Sequence, residues 1–240
     1  MNTEPLFLQD AYQKTGVATV LAHTSDGGVI LDKSLYYATS GGQPGDSGSL
    51  RWGSGEMGVV TAIKIEGGAI ALIPTEGQSL PPVGTEVSME LDWDKRYGHM
   101  RVHTALHLLS VVIPLPVSGG SIGAEKGRLD FNMPDAPEDK AALQSRLQSL
   151  IDQDLPVLED SITDEELAAN PGLVKTMSVS PPRGAGRIRL IRIGEGDAQV
   201  DLQPCGGTHV TRTGEIGKIR LGKVEKKGKV NRRIYLHLDA

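Results

Sequence analysis

Two pairs of residues in this chain carry metal-binding chemistry in their spacing. In Arg101-Val-His-Thr-Ala-Leu-His-Leu-Leu109, His103 and His107 stand four positions apart in an apolar, helix-compatible run. On an α-helix, residues i and i+4 project from one face a turn apart, so two imidazoles placed this way can share one ion. In Pro204-Cys-Gly-Gly-Thr-His209, Cys205 and His209 are again four apart, across a Gly-Gly step. Taken singly, each pair is a weak signal, because histidines at helical spacing are more often half-buried and hydrogen-bonded than ligating. Taken together they read as a His3Cys site closed across a long span of chain, and the sole cysteine of the sequence falls in the second pair. A thiolate among imidazoles suits zinc, whereas magnesium and calcium take oxygen ligands. Thr104 holds the place that a glutamate base would take in His-Glu-x-x-His, which speaks against a metalloprotease.

These donors need a helix and a loop to hold them. Asp92 is a reasonable N-cap for the helix, Asp94 falls in its first turn, and Pro114 stops it. Val102, Leu106, Leu109 and Val112 supply its apolar contacts. Arg96 and Arg101 on the same run read as a solvated face, with phosphate contact the alternative. The second pair follows Arg187-Ile-Arg-Leu-Ile-Arg-Ile193, whose alternation describes a half-buried strand, and Val200-Asp-Leu, which leads into the Cys205 loop. Ser118–Gly123 and Gly127–Asn132 read as two strands joined by a turn. Asp130, between Leu129 and Phe131, needs a hydrogen-bond partner if it faces inward. Residues 137–154 form an amphipathic helix pattern, and Thr163-x-x-Glu166 is a capping box for a short helix before Asn170-Pro171.

Upstream, residues 1–90 read as short strands, at 16–22, 28–31, 57–65, 68–73 and 86–91, bounded by Gly, Pro and polar residues. Several short strands with no long helix suggest a small barrel. Within it, Tyr36-Tyr-Ala-Thr-Ser-Gly-Gly-Gln-Pro-Gly-Asp-Ser-Gly48 is a Gly-rich loop. It is either a long connecting turn or a loop whose backbone approaches a ligand closely. Gly-x4-Gly-Lys-Ser/Thr is absent, so it is not a phosphate-binding P-loop.

The formal charge of −5 excludes a uniformly basic nucleic-acid binder. The exception is local: between Arg212 and Arg233, nine Lys and Arg face only Glu215 and Glu225, an excess of seven positive charges. Arg212, Lys218 and Arg220 head this stretch. Such a patch attracts a polyanion such as nucleic acid; the plainer reading is a solvated hairpin turned at Lys227-Gly228. One cysteine excludes an intramolecular disulfide and suits a reducing compartment. The N-terminus lacks a basic n-region and an apolar h-region, and no apolar run approaches ~18 residues. No membrane partner is expected, and the expected address is the cytoplasm.

The quoted motifs resemble one family. His-x3-His followed far downstream by Cys-x3-His is similar to the editing domain of alanyl-tRNA synthetases, and more closely to the free-standing alanyl-tRNA editing proteins. Arg128-Leu-Asp-Phe, Cys205-Gly-Gly-Thr-His-Val-x-Arg-Thr-Gly-Glu-Ile-Gly217 and Ser40-Gly-Gly-Gln-Pro-Gly-Asp-Ser-Gly48 extend the likeness over most of the chain. The last is similar to the Gly-rich motif of the longer members, which carry an N-terminal barrel. The metal-pair layout is shared with threonyl-tRNA synthetase editing domains. One departure is Ser118-Gly-Gly-Ser121, where the family often has a Gln before a Gly-Ser step.

The resemblance implies an α+β protein with a small β-barrel domain (1–90) and an α+β zinc-binding editing domain (91–240). It implies a trans-editing deacylase that hydrolyses serine, and also glycine, from misacylated tRNA(Ala), with Zn2+ held by His103, His107, Cys205 and His209. No ATP is expected, since 240 residues leave little room for an aminoacylation half. Gln43 and Thr104 are the candidate catalytic residues, and Gly41, Gly42, Gln43, Asp46, Arg212, Lys218 and Arg220 the candidate substrate or tRNA contacts. Asp46 is alternatively a brace for its loop, and Thr104 alternatively a helix hydrogen-bonding group. Zinc can lower the pKa of water to about 7 or polarise a carbonyl. Four protein ligands, however, usually describe a closed structural site. The preferred reading is therefore substrate positioning or a fifth coordination position. The alternative from another class is a zinc-stapled tRNA-binding module without catalysis.

Overall fold

The computed structural model describes residues 1–176 and 186–239. The chain divides into two units, Met1–Tyr97 and Gly98–Ala240. The architecture is α+β.

Six strands of the first unit close into a barrel: β1 (Thr15–His23), β2 (Val29–Leu31), β3 (Gly48–Trp52), β4 (Gly55–Lys64), β5 (Ile70–Pro74) and β6 (Glu86–Leu91), in the spatial order β1-β2-β5-β4-β3-β6. Closure leaves no open edge in this sheet. Strand β6 shows why the sequence does this. Val87, Met89 and Leu91 are buried while Glu86, Ser88 and Glu90 between them are exposed, the period of two that a half-buried strand requires. The inward set joins Leu31, Tyr36, Leu50, Met57 and Leu72 in the barrel core. Each such side chain contributes about 1.5–3 kcal/mol by leaving water. Strand β3 is absent from the sequence reading, because Gly48-Ser-Leu-Arg-Trp52 has little β-propensity of its own. Pairing on both sides, with Leu50 opposite both Met57 and Met89, holds it in the barrel.

The Gly-rich segment is anchored within this unit and is not a long open turn. Ser40 and Gln43 exchange backbone hydrogen bonds of 3.1 and 2.9 Å across Gly41-Gly42. Those glycines adopt φ of 56° and 85°, the left-handed pair that a two-residue hairpin turn demands. Behind the turn, the Asp46 carboxylate accepts from the Tyr37 amide at 2.6 Å and from Arg96 Nε at 2.9 Å, and is ion-paired to the same guanidinium. Arg96 also donates to the carbonyls of Ala11 and Leu35, at 2.9 and 2.6 Å. Arg96 and Asp46 are both buried. This corrects the solvated reading of Arg96: its counter-ion lies fifty positions earlier in the chain, beyond any local pattern.

Helix α1 (Trp93–Val112) opens in the first unit, with Asp92 accepting from the Lys95 and Arg96 amides, and runs on into the second. From Val102 to Ser110 every residue is buried, so this stretch is interior on all sides. In the second unit it packs on a four-stranded antiparallel sheet ordered β12-β13-β8-β7. Here β7 is Val117–Ile122, β8 is Lys126–Asn132, β12 is Ile219–Lys227 and β13 is Asn231–Leu238. A Cβ on Gly127 would stand 2.6 Å from Val102 Cγ1 and 2.9 Å from Leu106 Cδ1, so glycine lets the helix approach β8 closely. Helix α2 (Lys140–Asp152) begins at Asp139, whose side chain accepts from the Ala142 amide. Its Gln144 and Gln148 side chains accept from the Leu221 and Ile219 amides of edge strand β12, at 2.9 and 3.1 Å.

A second antiparallel sheet contains β9 (Val157–Ile162), β10 (Ile188–Ile193) and β11 (Asp201–Pro204), in that order. Strand β9 is also absent from the sequence reading, since Glu159 and Asp160 sit at its centre. They are ion-paired with Arg189 and Arg192 of β10. Helix α3 (Asp164–Ala169) carries the expected Thr163–Glu166 capping box. No described helix is long and apolar enough to cross a membrane.

Candidate metal centre

Helix α1 and the loop after β11 bring His103, His107, Cys205 and His209 together. Their donor atoms all lie within 4.8 Å of one another. Cys205 Sγ is 3.5 Å from His103 Nε2 and 3.2 Å from His209 Nε2. Bonds of about 2.0–2.3 Å to a tetrahedral ion place ligand atoms about 3.3–3.8 Å apart, so the donor types and the two sulfur–nitrogen distances suit zinc. The three imidazoles are buried and Cys205 is half-buried.

Each supporting contact has a physical reason. His107 Nδ1 faces Asp201 Oδ2 at 3.1 Å, which leaves its Nε2 for the cluster. His209 Nδ1 faces the Thr104 hydroxyl at 3.1 Å, which does the same for the second ring. Thr104 is fully buried; its hydroxyl also bonds the Met100 carbonyl at 3.0 Å and accepts from the Val210 amide at 3.3 Å. Its one proton and two lone pairs are thereby used, and it stands behind a ligand. The Cys205 loop is tied by Arg189, which donates to the carbonyls of Cys205 and Gly207 at 2.8 and 2.9 Å. The Gly207 amide points at the sulfur, 3.4 Å away.

Without an ion, the cluster behaves as a thiolate among imidazoles. Burial opposes the Cys205 thiolate, but its interactions with the His103 and His209 imidazoles outweigh it and hold the group well below the usual thiol range. Burial and the neighbouring His103 push His209 well below the usual imidazole range. Burial opposes the His107 imidazolium too, yet hydrogen bonds to Asp201 and Cys205 raise it to about 9. The His107 proton therefore stabilises the metal-free fold fully below the unfolded pKa of about 6.5, and that contribution is lost as pH rises through about 9. An ion must displace that proton. Calorimetric zinc titrations at pH 7 in buffers of different ionisation enthalpy are expected to report release of about one proton from His107, with affinity rising with pH until about 9. Buffer-independent heats would contradict it.

The other sequence candidates fall on several elements, and some are already engaged. Gly41 and Gly42 form the exposed tip of the first unit's turn, whereas Gln43 and Asp46 are buried. Asp46 is engaged by Tyr37 and Arg96, the contacts that a brace for its loop would make. Arg101 donates to the Ile216 carbonyl at 2.7 Å, in place of the solvated face expected for it. The basic stretch is less bare than its local sequence implies. Arg212 pairs with Asp154, Lys218 with Asp152, Arg220 with Asp239 and Arg233 with Asp130, all acids from outside it. Asp130 thus has its partners in Arg128 and Arg233. The sequence reading missed Asp201, Gln203, Ser110 and Arg189. Only Asp201 carried a signal, as a lone carboxylate between Val200 and Leu202 just ahead of Cys205.

The chain thus combines a barrel unit with an α+β unit that carries a His3Cys cluster. Residues 188–235 match the family described as threonyl and alanyl tRNA synthetase second additional domain, and residues 7–95 match tRNA synthetases class II (A). The alanyl-tRNA editing protein AlaX-M of Methanosarcina barkeri is 35% identical over 98% of this chain and 99% of its own length. That of Methanosarcina acetivorans is 33% identical with the same coverage. The alanine–tRNA ligase of Pyrobaculum calidifontis is 36% identical over 93% of this chain, which spans only 25% of that ligase. The chain belongs to the alanyl-tRNA editing protein family.

Proposed function

We propose that this chain is a free-standing hydrolase that removes serine, and also glycine, from misacylated tRNA(Ala), proofreading alanine coding in the cytoplasm. The observation that carries the reading is the His103–His107–Cys205–His209 cluster in a chain alignable end to end with alanyl-tRNA editing proteins. These four residues would hold zinc, which supplies Lewis acidity toward an ester carbonyl. The chain's own part is to fix that centre: Thr104 steadies His209, Asp201 steadies His107, and Arg189 holds the Cys205 loop. Gln43, whose side chain is buried, and the exposed Gly41-Gly42 peptide groups are the proposed substrate contacts of the Gly-rich turn, because backbone amides without side chains can approach a ligand closely. Arg212, Lys218 and Arg220 are the proposed phosphate contacts. Their exposed pairs with acids are worth about 0–1 kcal/mol, so a phosphate can displace the acids.

A second reading, a zinc-stapled tRNA-binding module without catalysis, is favoured by one feature: four protein donors make a closed set. Deacylation decides between them. Zinc-loaded protein is expected to release serine and glycine from tRNA(Ala) while sparing alanine. If all three esters decay at the buffer rate while the protein binds the tRNA, the non-catalytic module takes its place.

A further inference from the structure

The support of His107 extends beyond one hydrogen bond. Asp201 is 3% exposed, and both of its carboxylate oxygens are occupied. Oδ2 faces His107 Nδ1 at 3.1 Å and accepts from Gln203 Nε2 at 2.7 Å. Oδ1 is ion-paired to the ammonium of Lys175. Gln203 Nε2 also lies 3.1 Å from His107 Nδ1. Two N–H donors cannot bond each other, so a His107 that keeps its Nδ1 proton for Asp201 turns Gln203 toward the same carboxylate. Lys175 is itself fixed by its main chain, since its carbonyl accepts from the Val117 amide at 3.0 Å, at the start of β7. The lysine thus joins the four-stranded sheet to the sheet that carries Asp201.

We propose that Lys175 and Asp201 act together as positioning residues for the metal centre: the ammonium clamps the carboxylate, and the carboxylate sets the His107 tautomer and ring angle that ligation needs. Lys175 thereby becomes part of the metal centre's support, although it is not a ligand. A buried carboxylate left without its cation is costly and reorients toward the donors that remain, here Gln203 and the ring, which disturbs the angle it sets for His107. Outer partners of ligating histidines typically change metal affinity 10–100-fold when removed. The inference rests on the metal-binding part of the proposed function, and its test separates the two.

The full chain and its Asp201→Asn, Lys175→Met and Lys175→Arg variants would be titrated with zinc against a chromophoric chelator, and their cobalt(II) absorption spectra recorded. Asp201→Asn is expected to weaken zinc about 10–100-fold and to shift the cobalt bands. Lys175→Met is expected to weaken zinc less, in the same direction, and Lys175→Arg to restore it. A contact that only stabilises the fold would lower the unfolding temperature of the metal-free protein and leave affinity and spectra alone; that result overturns the proposal. Should Asp201→Asn fail to fold, Lys175→Met decides by the same criteria, because Lys175 is only half-buried. Wild-type protein that takes up no zinc defeats both this inference and the proposed function. Wild-type protein that binds zinc with the expected variant losses, yet spares every ester, supports the positioning role and removes only the catalytic reading.

Discussion

A Cys205→Ala protein is expected to lose zinc on dialysis and to leave Ser-tRNA(Ala) intact. Cys205 is the one thiolate of the cluster, with Sγ within 3.5 Å of His103 Nε2 and His209 Nε2. Four-ligand zinc sites bind with about 10–16 kcal/mol, so one ligand accounts for roughly 2.5–4 kcal/mol, or about 100–1,000-fold in affinity. The thiolate counts for at least its share, because it alone brings negative charge to a site otherwise made of neutral rings. The loop would survive the change, since Arg189 grips the carbonyls of Cys205 and Gly207, not the sulfur. Circular dichroism is therefore expected to match wild type. Metal analysis and a deacylation time course check the rest, and a variant that keeps a full zinc equivalent would remove Cys205 from the ligand set.

The largest stability effect is expected far from the cluster in sequence, at Asp46→Ala. That change leaves the Arg96 guanidinium, which has no exposed surface, with carbonyl acceptors and no counter-ion. Breaking such a buried pair costs about 3–5 kcal/mol, against a total stability of about 5–15 kcal/mol for a protein of ordinary robustness. The Tyr37 amide loses its acceptor as well, so the Gly41-Gly42 turn loses its support from behind. Adding Arg96→Met to Asp46→Ala is expected to recover much of the loss, because removing both charges also removes the uncompensated one. Urea unfolding of the two single variants and the double variant measures this. Equal additive losses would mean that the pair is not coupled.

The cluster was legible because its signals are local: two histidines at helical spacing, and one cysteine four residues from another histidine. The Thr163–Glu166 capping box was legible for the same reason, as was the barrel, most of whose strands alternate or run apolar between turns. What escaped the sequence reading depends on distant partners. Gly48–Trp52 is a strand through its neighbours' hydrogen bonds, and Val157–Ile162 through arginines on β10 that face its acids. Arg96 looked solvated because Asp46 lies across a fold, and Arg212 to Arg233 looked uncompensated because acids from residues 130 to 154 and from 239 lie beside them. Asp201 shows no spacing relation to His107, ninety-four positions earlier, so only three-dimensional proximity reveals it as the carboxylate behind that ring.

The two glutamines of α2 that reach the amides of Ile219 and Leu221 have a consequence for solvent exchange. Outward N–H groups of a border strand ordinarily swap their hydrogens with bulk water within moments and invite another chain to zip alongside. Here those two protons are sheltered by side-chain carbonyls from the same molecule. They would trade with deuterium more slowly than bare border amides, and at Ile219 and Leu221 this flank is closed to strand-to-strand association.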